Sequence, residues 1–308
     1  MRASHKYMAL TAILPVIMQG IILSSAFAQK TTKRPAARPP APAAAPAAAP
    51  NYRAPRAADG KPDLSGIWQA MNTAEWDVQA HDAKAGPLVV MGAAGAIPAG
   101  LGVVEDGPLP YRPEALAKKK ENEANWLALD PVVKCFLPGL PRATYMPFPF
   151  QIVQSPQYVS FTYEFAFASR VVNIGMKSSA PVDSWMGWSS GSWDGDTLVV
   201  DVTGMVEDTW FDRAGNYHSD ALHLTERYTP TGENTLLYEV TVDDPKVYTR
   251  PWKMSMPLYR RMEKNMQLLE FNCVSYVEEL MYGHLRKVRT PGEIEEEDKA
   301  PGQNPGGN

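Results

Sequence analysis

The sequence predicts a mainly β protein in which antiparallel strands follow one another as a meander and close into a barrel or a sandwich. Three observations point to this fold class. Apolar and polar residues alternate in several segments of the second half, turn residues separate these segments, and no helical pattern stands between them. Strands that are joined directly by short turns pair with their sequence neighbours, as in antiparallel barrels and sandwiches.

The alternating segments supply the predicted strands. In residues 157–167 (QYVSFTYEFAF), Val159 and Phe161 share one face of the chain while Ser160 lies on the other. Asp194-Gly195 predicts a hairpin turn before the next segment. The other predicted strands cover residues 64–69, 198–202, 218–228, 235–242, 252–258 and 267–276.

The first half of the domain contains one predicted helix and one long loop. Residues 113–127 begin with Pro113, carry Glu114 in the first turn and continue with helix-forming residues, which predicts a helix. Residues 79–112 are rich in Gly, Ala and Pro and have no hydrophobic period, which predicts a loop that wraps around the domain. Loops of this length are more often functional or packed over a core than neutral.

The two ends of the chain differ in composition from the part between them. Residues 1–28 combine basic residues near the start, an apolar run and a small-x-small ending at Ala26-Phe27-Ala28, which is typical of a cleaved secretory signal peptide. An uncleaved membrane anchor is the alternative. Residues 29–58 predict an extended Pro/Ala-rich linker, and residues 290–308 predict a disordered acidic tail. We therefore expect one β-rich domain over 59–289, exported to the periplasm or beyond the cell, with no stable membrane insertion after cleavage.

Composition and motifs exclude several classes of function. The formal net charge of −4 argues against a nucleic-acid-binding protein, because such proteins present positive charge to phosphates. The sequence has no phosphate-binding glycine loop, nucleophile elbow, paired-cysteine zinc motif or dinucleotide fingerprint, so we expect no cofactor and no metal ion. The two cysteines, Cys135 and Cys273, favour a disulfide in an exported protein, and two buried free thiols are the alternative.

The densest polar cluster supplies the candidate catalytic residues. They are Asp212, His218, Asp220 and His223, because a histidine beside a carboxylate is a common arrangement for general acid–base chemistry. Within one strand His218 and His223 would point to opposite faces, so they converge only if residues 215–219 belong to a turn. A structural metal site and a turn tied by hydrogen bonds are the alternatives.

Aromatic and methionine side chains concentrated around turns supply the candidate ligand-binding residues, since such side chains line pockets for apolar ligands as well as filling cores. The candidates from these turns are Arg142, Tyr145, Trp185, Trp188 and Trp210. Arg227 and Glu239 join them if the polar strand faces point into a barrel. The more usual arrangement turns such faces towards solvent.

Gly66-Ile67-Trp68 at the start of the first predicted strand resembles the Gly-x-Trp signature of lipocalins and related calycin barrels. In those proteins the tryptophan closes the floor of the barrel and a late arginine often stacks on it, a role open here to Arg260 or Arg261. The resemblance implies a calycin-like barrel.

A second resemblance covers roughly residues 59–276. The strings PDLSGIW, SWMGWSSGSWDGDTLVVDV and TWFDRAGNYHSDALHLTERYT resemble a family of secreted bacterial proteins with no assigned function. Members of that family often carry histidine where this chain has Trp188. The resemblance implies export and a common fold, and it brings no catalytic residue with it.

Together these features predict an exported, lipocalin-like barrel that binds a small, largely apolar molecule. Two other functions stay open. One is a cofactor-independent lyase, isomerase or hydrolase that uses a His/Asp pair and holds an anion with Arg142 or Arg213. The other is an envelope interaction module displayed on the Pro/Ala-rich linker.

Overall fold

The structure, a computed structural model, describes residues 52–86, 89–105, 107–176, 178–277 and 280. The predicted signal peptide (1–28), most of the linker (29–51) and the acidic tail (290–308) lie outside the described residues. Within the described residues, no helix has both the length and the apolar character needed to span a membrane.

Nine strands form a closed barrel, which confirms the prediction of a mainly β protein whose strands close on themselves. The first and last strands pair from Trp68–Arg260 to Ala70–Leu258, and this pairing closes the sheet. The strands are β1 (Gly66–Ala70), β2 (Phe150–Gln154), β3 (Tyr158–Tyr163), β4 (Ser169–Ile174), β5 (Trp188–Asp194), β6 (Thr197–Thr203), β7 (His223–Gly232), β8 (Thr235–Asp243) and β9 (Trp252–Arg260).

One strand pair departs from the predicted antiparallel meander. β4 and β5 pair in parallel, from Val172–Ser189 to Ile174–Gly191. The segment 175–187 between them is long enough to return the chain to the same end of the barrel, as a parallel pair requires. The other neighbouring pairs are antiparallel.

The predicted helix over 113–127 is divided in two. Helix α1 (Pro113–Ala124) ends before Asn125, whose φ of −121° and ψ of 24° are not helical, and α2 (Trp126–Leu129) follows it. A third short helix, α3, covers Arg142–Tyr145, and 3₁₀ turns cover Val89–Gly95, Pro131–Lys134 and Phe165–Phe167.

Three predicted strands differ from those observed. The strand predicted over 157–167 ends at Tyr163, because Ala166 and Phe167 adopt positive φ angles of 54° and 51°. The strand predicted over 218–228 begins only at His223, and the segment predicted as a strand over 267–276 is not one. Strands β2, β4 and β5 were not predicted.

Arg260 packs on Trp68 where the first and last strands pair. The Arg260 guanidinium lies 4.2 Å from the centre of the Trp68 ring, and its Nη1 donates a 2.7 Å hydrogen bond to the Ser65 carbonyl. Gly66 has a φ of 146°, and a Cβ there would lie 2.0 Å from Arg260 Nη1. The backbone conformation and the close approach of Arg260 therefore require glycine at this position.

The barrel interior is a packed core. Burial alternates along β6 to β9, with polar residues outside and apolar residues inside. The inward side chains of these strands include Leu198, Val200, Leu224, Leu236, Val240, Val242, Met254 and Met256, each fully or almost fully buried.

A buried ion pair between Arg170 on β4 and Glu226 on β7 lies inside this core. Arg170 Nη2 donates to Glu226 Oε1 at 3.1 Å and to the Tyr228 hydroxyl at 2.8 Å. The Tyr238 hydroxyl also donates to Glu226, at 2.6 Å, and the guanidinium lies 4.6 Å from the centre of the Phe161 ring. Because each charge is paired and hydrogen-bonded, the pair is tolerated in the core.

A disulfide joins Cys135 to Cys273, which confirms the predicted pairing. It fixes the segment after β9 against the turn at Pro131–Lys134. Beside it Phe271 packs on Phe148 and Phe165, with ring centres 5.0 and 4.7 Å apart. The bond closes 138 residues of chain, which in the loop-entropy model stabilises the fold by up to about 5 kcal/mol.

Replacing Arg170 by methionine is expected to lower the free energy of unfolding by about 3–5 kcal/mol, because Glu226 would then be a buried charge without a partner. The double variant Arg170→Met/Glu226→Leu should regain most of this loss. Urea unfolding of each variant measures the effect. Arg227→Met is the matched control, since Arg227 pairs with Asp194 at the surface, and it should cost about 1 kcal/mol or less. A double variant no more stable than Arg170→Met would contradict the expectation.

Candidate functional site

A cleft opens in the barrel wall where β4 and β5 begin. The two strands pair only from Val172 and Ser189 onwards, so the residues before them separate. The space left there has a volume of about 530 Å³. We call it the β4–β5 cleft, and its walls include Leu137, Arg170, Val171, Trp185, Met186 and Trp188.

Two tryptophans shape this cleft. Trp185 stacks on Phe136 with ring centres 4.8 Å apart and planes at 10°. The indole Nε1 of Trp188 is buried and has no hydrogen-bond partner in the described part of the chain. Between them Gly187 has a φ of 64°, and a Cβ there would lie 2.8 Å from Met205 Sδ, so the turn that separates the two indoles requires glycine.

The cleft also reaches the buried ion pair, because Arg170 is part of its wall. The guanidinium is already neutralised by Glu226, and its Nη1 lies 3.5 Å from the Ser189 hydroxyl. The cleft therefore combines apolar indole surface with a polar region of no net charge.

A second apolar groove lies beside β9. It has a volume of about 360 Å³, and we call it the β9 groove. Its walls include Met71, Leu101, Val103, Met256, Pro257 and Tyr259. It is smaller than the β4–β5 cleft, and Tyr259 supplies its aromatic surface.

The four candidate catalytic residues do not form one site. His218 is fully buried, its Nδ1 bonds the Ser219 carbonyl at 2.9 Å and its Nε2 bonds the Thr209 hydroxyl at 2.6 Å. Both ring nitrogens are thus occupied, and burial lowers the pKa of His218. His218 precedes β7, which begins at His223, so the two histidines do not belong to one strand.

His223 and Asp220 lie at the surface. His223 is on the outer face of β7, with its Nε2 3.2 Å from Asp201, and so it does not converge with His218. Asp220 forms an exposed 2.6 Å ion pair with Lys246. The hydrogen bond from Lys246 lowers the pKa of Asp220.

Asp212 has the most perturbed environment of the four candidates. It is fully buried and accepts hydrogen bonds from Val78 N at 2.9 Å and from Asn216 Nδ2 at 2.6 Å. Asn216 Nδ2 also lies 3.5 Å from Asp77 Oδ1, so the amide stands between two carboxyl groups. Burial, and next the Asp77 carboxylate, raise the pKa of Asp212 to about 7.

Of the candidate ligand-binding residues, Trp185 and Trp188 share the β4–β5 cleft. Arg142 is fully buried in a bidentate ion pair with Asp130, at 2.8 and 2.9 Å. Burial would lower the pKa of Arg142, but the Asp130 carboxylate raises it above its ordinary value. Tyr145 is buried and donates to the Phe211 carbonyl at 2.8 Å, and Trp210 is buried beside Tyr217.

Arg227 and Glu239 do not face the barrel interior. They oppose each other across β7 and β8 on the outer face, because the apolar and tyrosine residues of these strands turn inwards. The polar strand faces thus have the more usual outward arrangement, and the condition that would make Arg227 and Glu239 part of an interior binding site is not met.

Sequence reasoning missed the interior charge pair. Glu226 stands between Leu224 and Tyr228 on the inward face of β7. A charged residue at a position where the alternation calls for an apolar one indicates a buried charge, and this indication was present in the sequence. Arg170 carried no such indication, since β4 itself was not predicted. The side chains of Asp77, just before the long loop, and of His81, within it, were also missed.

Comparison with protein-family models and with curated proteins finds no match to this chain. Among the described residues, no group of three or more histidines, cysteines and carboxylates is placed to hold a metal ion.

Asp212→Asn is expected to change how stability depends on pH. A carboxyl whose pKa is raised on folding binds more protons in the folded chain between about pH 4 and 7, so its contribution to stability falls as pH rises through that window. The stability of the native protein relative to Asp212→Asn should therefore decline from pH 4.5 to 7, by up to roughly 1.4 kcal/mol per pH unit.

Urea unfolding at several pH values measures this difference. Asp220→Asn is the control. The lowered pKa of Asp220 affects stability only below about pH 4, because between pH 4.5 and 7 this carboxyl is ionised in both the folded and the unfolded chain. The stability difference between the native protein and Asp220→Asn should therefore stay constant over this range. A difference between the native protein and Asp212→Asn that does not change with pH would contradict the assignment.

Proposed function

We propose that this protein is an exported barrel that binds a small, largely apolar molecule, and that the ligand occupies the β4–β5 cleft. The observation that carries the proposal is a cleft of about 530 Å³ whose walls include Trp185 and Trp188. Ligand sites in proteins are typically concave, mostly apolar and of this size, with few polar groups.

The packed interior favours the wall of the barrel over its centre as the binding place. Phe161, Tyr228 and Tyr238 fill the space around the Arg170–Glu226 pair, and each is fully buried. A ligand inside the barrel would have to displace side chains that satisfy a buried charge, which is costly. A ligand in the cleft displaces none of them.

The chemistry of the cleft favours a neutral ligand. Its indole, leucine and methionine side chains offer apolar contact, and aromatic rings bury large areas with little loss of side-chain freedom. Glu226 already compensates the charge of Arg170, so the cleft has no unpaired cation there to attract an anion.

The disulfide supports the exported location, because disulfides persist in oxidising compartments. The alternative that the protein is an enzyme has less support. Its four candidate catalytic residues bond different partners and do not form one site. The interaction-module alternative depends on the linker, most of which lies outside the described residues.

Trp185→Ala and Trp188→Ala are expected to weaken binding of a neutral apolar probe. With N-phenyl-1-naphthylamine, whose fluorescence rises in apolar surroundings, each substitution should raise Kd about tenfold or more, because tryptophans at the centre of a binding site contribute about 2 kcal/mol or more. Fluorescence titration measures Kd, and native mass spectrometry of protein purified without detergent tests for a neutral bound molecule.

Tyr259→Ala is the matched control, since it removes an aromatic ring from the β9 groove and leaves the cleft unchanged. Its Kd should equal that of the native protein. Weaker binding in Tyr259→Ala alone would place the ligand in the β9 groove instead. No binding of the probe by the native protein would also overturn the proposal.

A further inference from the structure

A third concave site lies outside the barrel, between the long loop and helix α1. We call it the loop–helix pocket, and it has a volume of about 250 Å³. Its walls include Trp76, Asp77, His81, Lys84, Glu123 and Arg213. None of these residues belongs to the β4–β5 cleft, so binding in this pocket is independent of the function proposed for that cleft.

His81 lines this pocket and carries a buried hydrogen-bond acceptor without a partner among the described residues. Its Nδ1 lies 2.9 Å from the Gln79 carbonyl, which accepts a proton and cannot donate one, so Nδ1 carries the hydrogen and Nε2 keeps a lone pair. Nε2 is buried and has no hydrogen-bond partner among the residues that the structure describes. A buried polar atom without a partner is costly, so a hydroxyl or amine that reaches it gains a strong contact.

The fold holds the His81 ring in place. The backbones of His81 and Gly100 exchange two hydrogen bonds, both of 2.9 Å. A Cβ on residue 100 would lie 2.4 Å from His81 Cε1, so only glycine allows the loop to approach the ring this closely. The acceptor is therefore preorganised rather than free to turn away.

The charged side chains around the pocket balance each other. The carboxylates of Asp77 and Glu123 are hydrogen-bond acceptors, and Lys84 Nζ lies 3.7 Å from Glu123 Oε1. Arg213 pairs with Glu75 at 2.9 Å. Asp77 Oδ1 accepts from Gln79 N at 2.9 Å, and burial raises the pKa of this carboxyl group. The pocket carries positively charged hydrogen-bond donors and negatively charged acceptors. It therefore suits a neutral ligand with several hydroxyls better than an ion.

Two indoles add apolar surface. Trp76 and Trp126 meet edge to face, with ring centres 6.2 Å apart and planes at 79°. The Arg213 guanidinium lies over both rings, 4.6 and 5.2 Å from their centres, and fixes their positions. Indole surfaces of this kind pack against the C–H faces of a ring whose edges carry hydroxyls.

We propose that the loop–helix pocket binds a neutral polyhydroxylated molecule of the size of one sugar ring, with one hydroxyl donating to His81 Nε2. The hydroxyls both donate to and accept from the charged side chains, and the C–H face contacts the indoles. A volume of about 250 Å³ equals that of about eight water molecules in the liquid, which suffices for one sugar ring.

The proposal is tested by saturation-transfer NMR on the full chain with D-glucose, D-galactose, D-mannose and myo-inositol as neutral probes. D-glucuronate and D-glucosamine are the charged counterparts. At least one neutral probe should bind more tightly than its charged counterparts. His81→Phe, which keeps a ring and removes the acceptor, should weaken that binding at least tenfold.

Glu123→Gln and Glu121→Gln form a second, matched pair on helix α1. Glu123 lines the pocket and Glu121 is exposed away from it, so the first substitution should weaken binding of the neutral probe and the second should not. If His81→Phe fails to fold, the comparison of Glu123→Gln with Glu121→Gln tests the proposal in its place. Trp185→Ala, in the other cleft, should leave sugar binding unchanged.

The proposal is overturned if none of the neutral probes binds, if only glucuronate or glucosamine binds, or if binding is the same in the native protein and in the folded pocket variants. A direct check of the acceptor is the ¹⁵N spectrum of the His81 ring. It should show a protonated Nδ1 and an unprotonated Nε2, whose resonance shifts when the neutral probe is added. An Nε2-protonated ring would contradict the proposal.

Discussion

The ion pair between Arg170 and Glu226 constrains the rest of this structure. A closed barrel of nine strands has an interior that must be filled, and here two charges lie within it. Charges in a core are tolerated when they are paired and hydrogen-bonded, and Tyr228 and Tyr238 add hydrogen bonds to this pair. The pair therefore ties β4 to β7 and β8 and makes the interior a packed core.

A packed interior places small-molecule sites on the outside of the barrel. The β4–β5 cleft exists because a parallel pair begins part of the way along its strands, and the residues before it diverge. The loop–helix pocket exists because the segment before α1 folds back on the loop that carries Asp212 and Arg213. The loop–helix pocket thus arises from connections between strands, and the β4–β5 cleft arises from two strand ends together with the connection between them. Connecting segments are where binding residues are commonly found.

The alternation of apolar and polar residues predicted β6, β8 and β9 with small errors, because one face of each strand is buried against the core. It failed at 267–276, where alternating residues find no neighbouring strand and are held instead by Cys273 and by the packing of Phe271. Strand β5 escaped prediction because it contains several serines and a glycine, which interrupt the alternation. The parallel pairing of β4 with β5 leaves no tight-turn signature between the two strands.

The sequence by itself determined the class of fold and the alternation of apolar and polar residues in the later strands, and it favoured a disulfide between its two cysteines. These features depend on local periodicity and on composition. The tertiary structure alone decided that Arg170 meets Glu226, that His218 and His223 stay apart, and that His81 and Arg213 border one pocket. Such contacts depend on strand register and on the path of long loops, which bring together residues far apart in the chain and leave no local pattern to detect.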